Sequence, residues 1–239
     1  MRERRLALSI ICGVVLTMTL LVSPVGARAQ ALQAYVPSDF ADTTTIVARL
    51  EAAGWTVTTA HTLDLGGQDP YAVFDLIWIV PDASTEAFAY LRDPIAELAV
   101  FAEDGGVLII TGVGGDAPGL DIGPGGLDVM GLPADGAGAV TIAAADHPLV
   151  TGVDTGGVAL TDSDLDPEAT GGAGYLTNLP SGATTTTTIA QNTAGAVFLN
   201  YDEGLDSDAG DGHILVSSLV NPSADAIDNI ILYVASLIP

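Results

Sequence analysis

The sequence predicts an α/β fold in three layers, in which helices cover both faces of a mostly parallel central sheet. One reason is the segment FDLIWIVPD (74–82), a nearly continuous apolar run with β-branched and aromatic residues, which is typical of a strand buried on both faces. A second reason is the order of patterns over residues 32–112, which runs β-α-β-β-α-β with connections long enough to contain helices.

The first half of the chain contains four predicted strands and two predicted helices. Asp42 or Thr43 is expected to cap the first helix, and Gly54 is expected to end it. Pro94 is expected to kink or divide the second helix. In chain order the elements are the strand LQAYVPSDF (32–40), the helix DTTTIVARLEAAGW (42–55), the strands TVTTAHTLD (56–64) and FDLIWIVPD (74–82), the helix STEAFAYLRDPIAELAVFAEDGG (84–106) and the strand VLIITG (107–112).

The second half has a less regular pattern. A glycine-rich segment (112–131) is predicted to be a loop over the sheet edge that shapes a pocket for a neutral ligand. The threonine run 184–188 favours an exposed edge strand, and a closing helix is expected to begin at Ser223. The predicted strands are AVTIAAADHPLVTGV (139–153), GGVALTD (156–162), ATTTTTIAQN (183–192), GAVFLNYDEG (195–204) and GHILVSSLV (212–220), of which the last two are expected to form a hairpin.

Residues 1–29 have the pattern of a secretory signal peptide. Three arginines stand within the first five residues, the apolar run 6–22 follows, and Ala27-Arg28-Ala29 forms an A-x-A cleavage signal. The apolar run is at the lower limit of about 17 residues for a bilayer span, so a retained anchor is disfavoured. We therefore expect cleavage after Ala29, a secreted or extracytoplasmic location, no membrane span in the mature chain, and one α/β domain over residues 30–239.

The charge of the chain limits its partners. The formal net charge is −24, and the predicted mature chain keeps Arg49 and Arg92 as its only Lys or Arg residues while losing only Glu3 of the 30 acidic residues. Such a surface repels nucleic acid and anionic lipid. An excess of acidic residues is expected of a surface that is solvated in a salty medium. It is also compatible with the binding of cationic ligands or metal ions.

Cysteine usage excludes several kinds of site. The single cysteine, Cys12, lies in the predicted signal peptide, so the mature chain has none. Disulfides, thiolate catalysis, cysteine zinc sites and iron–sulfur clusters are therefore excluded.

Four segments carry a resemblance to a known family: FDLIWIVPD (74–82), VFAEDGGVLIITG (100–112), DHPLVTGV (146–153), and GHILVSSLV (212–220) followed by a helix. They resemble the class I glutamine amidotransferase-like fold and, within it, the secreted or uncharacterised relatives of the trehalose-utilisation (ThuA-like) proteins. The resemblance covers most of residues 32–239. It implies a flavodoxin-like three-layer sandwich with a mostly parallel central sheet.

The same resemblance implies where catalytic residues would stand, and the sequence departs from it there. It implies a nucleophilic cysteine directly after the strand that matches residues 107–110, where this chain has Thr111. It implies a histidine after the terminal strand, where the chain has Ser217, Ser218 and Leu219. A threonine hydroxyl needs an adjacent base to become a nucleophile, and none is evident. We therefore predict that the chain is inactive as an amidotransferase.

Other polar residues suggest two kinds of site. His61 and Asp82 lie at the ends of predicted strands, and Asp116 lies in the glycine-rich loop. Their convergence at the carboxyl edge of the sheet would suit a metal-assisted or carboxylate-based hydrolase. His147 precedes Pro148, where its ring is expected to hydrogen-bond backbone and fix a turn. His213 opens a strand beside several acids.

Two acidic segments are candidates for binding calcium, because carboxylates at alternate positions can surround a hard cation. DSDLDPE (162–168) offers Asp162, Asp164 and Asp166, and DEGLDSDAGDG (202–212) offers Asp206, Asp208 and Asp211. Neither segment matches the full EF-hand pattern, and a solvated loop is the alternative.

These observations lead to one leading hypothesis and two alternatives. The leading hypothesis is a secreted, non-catalytic binding or interaction module that recognises a small molecule or an extracellular protein. The alternatives are the hydrolase with its site at the carboxyl edge of the sheet, and a calcium-stabilised surface protein. Calcium is the one cofactor that the sequence suggests.

Overall fold

A computed structural model describes residues 31–38, 43–61, 71–81, 95–113, 123–178, 186–201 and 212–238. The chain divides into two units, Met1–Ala31 and Leu32–Pro239, and every described residue except Ala31 belongs to the second. The predicted signal peptide therefore lies outside the described residues.

Ten strands and five helices form within these ranges. The strands are β1 (Gln33–Tyr35), β2 (Thr56–Thr58), β3 (Leu76–Ile79), β4 (Val107–Thr111), β5 (Asp128–Met130), β6 (Thr141–Ile142), β7 (Tyr175–Thr177), β8 (Thr186–Gln191), β9 (Ala196–Tyr201) and β10 (His213–Ser217). The helices are α1 (Thr44–Ala52), α2 (Ile95–Glu103), α3 (Pro148–Thr151), α4 (Asp162–Leu165) and α5 (Ala224–Leu237).

One sheet contains all ten strands, and half of it is parallel. Its order is β2-β1-β3-β4-β10-β9-β7-β5, with β8 paired to β9 and β6 paired to β8. The first five strands pair in parallel, whereas β10 with β9, and the strands beyond, pair antiparallel. The parallel sheet predicted from the first half of the chain is confirmed, and so is the pairing of the last two strands.

The sheet is the middle layer of a three-layer sandwich. In β3 every residue is buried, and alternate side chains enter opposite cores. Leu76 and Trp78 belong to a core that also contains side chains of α1, α3, α4 and α5. Ile77 and Ile79 belong to the other core, with α2. This explains why FDLIWIVPD is apolar at successive positions: both faces of the strand are covered.

The helix boundaries follow from local residues. Thr43 occupies the N-cap position of α1, without a cap bond from its side chain, and Gly54 follows the helix at φ +91°. In α5, the Ser223 hydroxyl accepts the Ala226 N–H at 3.2 Å, as expected for an N-cap. The described part of α2 begins at Ile95, directly after Pro94, and the preceding positions 82–94 lie outside the described residues.

Two strand predictions in the second half are wrong. Residues 156–161 form no strand, and α4 begins at Asp162. The apolar pattern GGVALTD predicts a strand, but an asparagine side chain forms the hydrogen bonds that a neighbouring strand would form. Asn229 of α5, 1% exposed, accepts the Val158 N–H at 3.0 Å and donates to Val158 O at 2.6 Å. A Cβ at residue 157 would overlap Asn229 Oδ1, so this approach requires Gly157.

The second wrong prediction is the long strand over residues 139–153. Only Thr141–Ile142 is strand, and the chain then turns into α3. Pro148 suits the first position of a helix, and His147 precedes it as the N-cap. The glycine-rich segment was also predicted as loop throughout, yet Asp128–Met130 forms β5 because it pairs with β7.

The threonine run does enter a strand. Thr186–Gln191 forms β8, which pairs with β9 along its length and with β6 at Ala190 and Gln191. Of the described threonines in the run, Thr186 is exposed and the next two are half-buried. Residues 184 and 185 lie outside the described residues.

We predict that Asn229→Leu lowers the free energy of unfolding by about 3 kcal/mol, because it leaves the buried carbonyl of Leu149 and the part-buried N–H and carbonyl of Val158 without their partner. Urea denaturation followed by circular dichroism measures the change. Ser236→Ala on the exposed side of the same helix is the control and should stay within about 0.5 kcal/mol of the wild type. Equal effects of the two substitutions would contradict the role given to Asn229.

Candidate functional site

The carboxyl ends of β4 and β10 lie side by side at the centre of the sheet. The two strands are parallel, and Thr111 at the end of β4 is in register with Ser217 at the end of β10. The Val113 N–H donates to Ser217 O at 3.1 Å, which holds the loop after β4 against β10. These are the positions where the resemblance implies a nucleophile and a histidine.

The hydroxyl of Thr111 is held by a tryptophan of the neighbouring strand. Trp78 Nε1 donates to Thr111 Oγ1 at 2.9 Å, and the tryptophan is 1% exposed. Trp78 is paired with Ile109 on β4, so Thr111 follows two residues later on the same face. No imidazole or carboxylate of the described residues hydrogen-bonds to this hydroxyl.

The two serines where β10 ends are buried and hydrogen-bonded within the fold. Ser217 and Ser218 are 1% and 0% exposed. Ser217 Oγ accepts the Leu219 N–H at 3.0 Å. Ser218 Oγ donates to Gly174 O at 2.9 Å, which ties the end of β10 to the segment before β7. Both hydroxyls therefore stabilise the chain as it leaves the sheet.

The hydrolase candidates at this edge are only partly described. His61 is exposed and follows β2, which is three strands away from β4 in the sheet. At a strand spacing of about 4.8 Å, β2 and β4 lie about 14 Å apart. Asp82 and Asp116 lie outside the described residues, so their convergence with His61 stays a prediction.

His147 fixes a turn through its ring, as expected from its position before Pro148. Its Nδ1 accepts the Leu149 N–H at 3.2 Å. Burial, then the charge of His213, lower the pKa of His147 from its ordinary value, and Asp146 opposes this shift. No pattern in the sequence indicated the residues that meet the ring, Asn200 of β9 and Tyr233 of α5.

Two of the described calcium candidates are tied to backbone or hydroxyl groups around α4. Asp162 Oδ1 accepts the Ile142 N–H at 2.7 Å. Asp164 Oδ2 accepts from both the N–H and the hydroxyl of Thr161, at 2.7 and 2.6 Å. The Thr161 side chain, then its N–H, hold the pKa of Asp164 below the ordinary value.

The third candidate, Asp166, organises a loop. Only 5% exposed, it accepts the N–H and the hydroxyl of Thr170 at 2.9 and 3.0 Å, the Gly171 N–H at 2.8 Å and the Val140 N–H at 3.4 Å. Burial alone would raise its pKa, but these hydrogen bonds, from Gly171 first, hold the pKa below its ordinary value.

The three carboxylates thus serve three separate sets of donors. Across the described ranges, no group of three or more histidine, aspartate or glutamate side chains is arranged to hold a metal ion. Asp206, Asp208 and Asp211 lie outside those ranges. Calcium binding by the second acidic segment stays a prediction.

Comparison with known proteins supports the fold. No protein-family model and no curated protein matches the sequence. Among solved structures, the chain is similar to a protein from Thermoplasma acidophilum that is provisionally described as a GMP synthase subunit. The alignment covers 88% of this chain and 96% of the other, with 10% identity and a TM-score of 0.50. The chain therefore has a glutamine amidotransferase-like α/β fold, and at this identity the likeness concerns the fold alone.

The length and hydropathy of a helix decide whether it can cross a membrane. None of the helices in the described part of the chain is both long and apolar enough to cross a bilayer.

We predict that Asp166→Asn destabilises the protein by about 2 kcal/mol at pH 7, because the buried oxygens accept charge-assisted bonds. A carboxylate whose pKa is lower when folded contributes stability above its unfolded pKa of about 3.9 and loses that contribution as pH falls through the folded pKa. The difference between wild type and variant should therefore shrink below about pH 4. Thermal unfolding from pH 3 to pH 7 measures it.

The exposed neighbour Glu168 provides the matched control for this experiment. Glu168→Gln removes the same charge, and it should leave the wild-type stability almost unchanged across the range. A difference between wild type and Asp166→Asn that does not depend on pH would contradict the assignment.

Proposed function

We propose that the protein is a secreted, non-catalytic binding module built on a glutamine amidotransferase-like fold. The observation that supports this most directly is the state of the three hydroxyls at the ends of β4 and β10. Thr111 accepts from an indole, Ser217 accepts from backbone, and Ser218 donates to backbone. Each hydroxyl stabilises the fold at the edge where ligands of such sheets bind.

Acyl transfer by a hydroxyl needs a base that removes its proton. In a nucleophile–base pair, the two side chains lie within hydrogen-bonding distance and the base is oriented by a third group. Thr111 has Trp78 in that place, and an indole N–H is a donor that cannot accept a proton. The contact therefore positions the tryptophan and the strand end without making the threonine more nucleophilic.

The charge of the chain limits the kinds of partner that it can bind. The net charge of −24 disfavours nucleic acid and anionic lipid surfaces, so the partner we propose is a neutral or cationic small molecule or an extracellular protein. The relation to ThuA-like proteins, carried by segments such as DHPLVTGV (146–153), is part of this proposal. So is export by means of residues 1–29.

We predict that the protein does not hydrolyse glutamine or a p-nitrophenyl ester above the buffer rate, because no described residue offers a base to the Thr111 hydroxyl. Thr111→Ala should give the same rate, measured by ammonia or nitrophenolate release. An active class I amidotransferase serves as the positive control for the glutamine assay. Turnover that Thr111→Ala abolishes and Thr111→Ser retains would overturn the non-catalytic proposal.

We also predict that the exported protein begins at Gln30, because the A-x-A signal ends at Ala29. Expression of the full chain in a secreting bacterial host, followed by mass spectrometry of the extracytoplasmic fraction, measures the mature N-terminus. Ala27→Gln together with Ala29→Gln disrupts the cleavage signal and should retain the leader. Recovery of uncleaved wild type from the cytoplasm would contradict export.

A further inference from the structure

A polar cluster of two buried side chains and one half-buried histidine joins three elements on the sheet face that α5 covers. Its members are His147 directly before α3, Asn200 on β9 and Tyr233 on α5. Asn200 and Tyr233 are 8% and 6% exposed. The cluster lies away from the ends of β4 and β10 discussed above, because Asn200 pairs with Leu215, two residues before Ser217 on β10.

The first contact of the cluster depends on the protonation state of His147. The ring is the N-cap of α3, since Nδ1 accepts the Leu149 N–H at 3.2 Å. A neutral imidazole has one nitrogen with a free lone pair, and here that nitrogen is Nδ1. A protonated imidazole has two N–H donors and no acceptor, so it would set a donor against the Leu149 donor.

The other side of the ring meets β9 and α5. Its Nε2 lies 3.4 Å from the Asn200 amide nitrogen, and its plane meets the Tyr233 ring edge-to-face with centroids 4.9 Å apart. Asn200 in turn donates to Tyr233 Oη at 2.8 Å, while its Oδ1 is buried without a hydrogen bond. Since the two ends of an amide have the same shape, turning Asn200 over would present Oδ1 to both Nε2–H and the Tyr233 hydroxyl.

The groups that face the ring favour its neutral form. Burial has the largest effect on the pKa of His147 and lowers it. His213 approaches from β10, and a second positive charge there also disfavours protonation of His147. Asp146, next to it in the chain, acts in the opposite direction with the smallest effect of the three. The remaining neighbours, Tyr233 and Asn200, are uncharged near neutral pH.

We propose that His147 is a pH-sensitive latch, which caps α3 beside β9 and α5 while its ring is neutral and loosens α3 when the ring takes up a proton. The proposal rests on three contacts of one imidazole with three different elements. It is independent of whether the protein is catalytic.

The direction of the effect follows from linkage. In the unfolded chain a histidine takes up a proton near pH 6.5. Burial lowers the pKa of His147 in the folded state. Below about pH 6.5 the unfolded chain therefore binds more protons at this residue than the folded chain does. Stability is therefore lost as pH falls through about 6.5, in a range where the carboxylates are still ionised.

Wild type and His147→Asn are compared from pH 8 to pH 5. Asparagine caps helices well and does not titrate, so it keeps the cap and removes the switch. Relative to His147→Asn, the thermal midpoint of the wild type should fall by about 3 °C between pH 7.5 and pH 5. Amide hydrogen exchange at residues 149–151 should accelerate over the same range in the wild type alone.

Controls separate His147 from the other histidines. His61→Asn, at an exposed position, should keep the pH profile of the wild type. In His213→Asn the pH transition assigned to His147 should persist and move to higher pH. The reason is that the variant lacks the positive charge of His213, which lowers the pKa of His147. The titration of His147 itself is followed in the wild type by the NMR shift of its ring carbons, which requires no variant to fold.

Two results would overturn the latch. One is a pH profile of His147→Asn that matches the wild type between pH 8 and pH 5. The other is an imidazole that becomes protonated in the wild type while exchange at Leu149 stays unchanged.

Discussion

The burial of β4 between β3 and β10 is the constraint on which the rest of the structure depends. Residues 107–110 are at most 1% exposed, and both faces of the strand are covered by helices. Each fully buried aliphatic side chain contributes roughly 1.5–3 kcal/mol. The polar side chain of this strand stands at its end, which places Thr111 at the carboxyl edge of the sheet, the edge at which parallel α/β sheets generally bind ligands.

Polar side chains that do enter the interior hold elements together. Trp78 bonds to Thr111, Asn229 bonds to Leu149 and Val158, and Asp166 gathers the backbone of its loop. Because an unpaired buried polar group costs free energy, each of these contacts fixes a backbone position as well as a side chain.

Prediction from sequence worked best where one local rule decided the structure. The β3 and β4 patterns, the Ser223 cap and the β9–β10 hairpin needed only apolar runs, capping chemistry and proximity in the chain. The errors at 139–153 and 156–162 arose because residues distant in sequence supplied the partners. At the candidate site, the sequence identified Thr111 by position, but the tryptophan that engages it lies 33 residues away.

The sequence by itself determined the parallel half of the sheet, the three-layer arrangement and the absence of thiol chemistry downstream of Cys12, because these follow from burial patterns and composition. Only the tertiary structure decided the antiparallel pairings beyond β9, the replacement of a strand partner by Asn229, and the meeting of His147 with Asn200 and Tyr233. The physical reason is that a hydrogen-bonding side chain can satisfy any nearby group. Its partner is therefore chosen by the packing of whole elements, which no local pattern encodes.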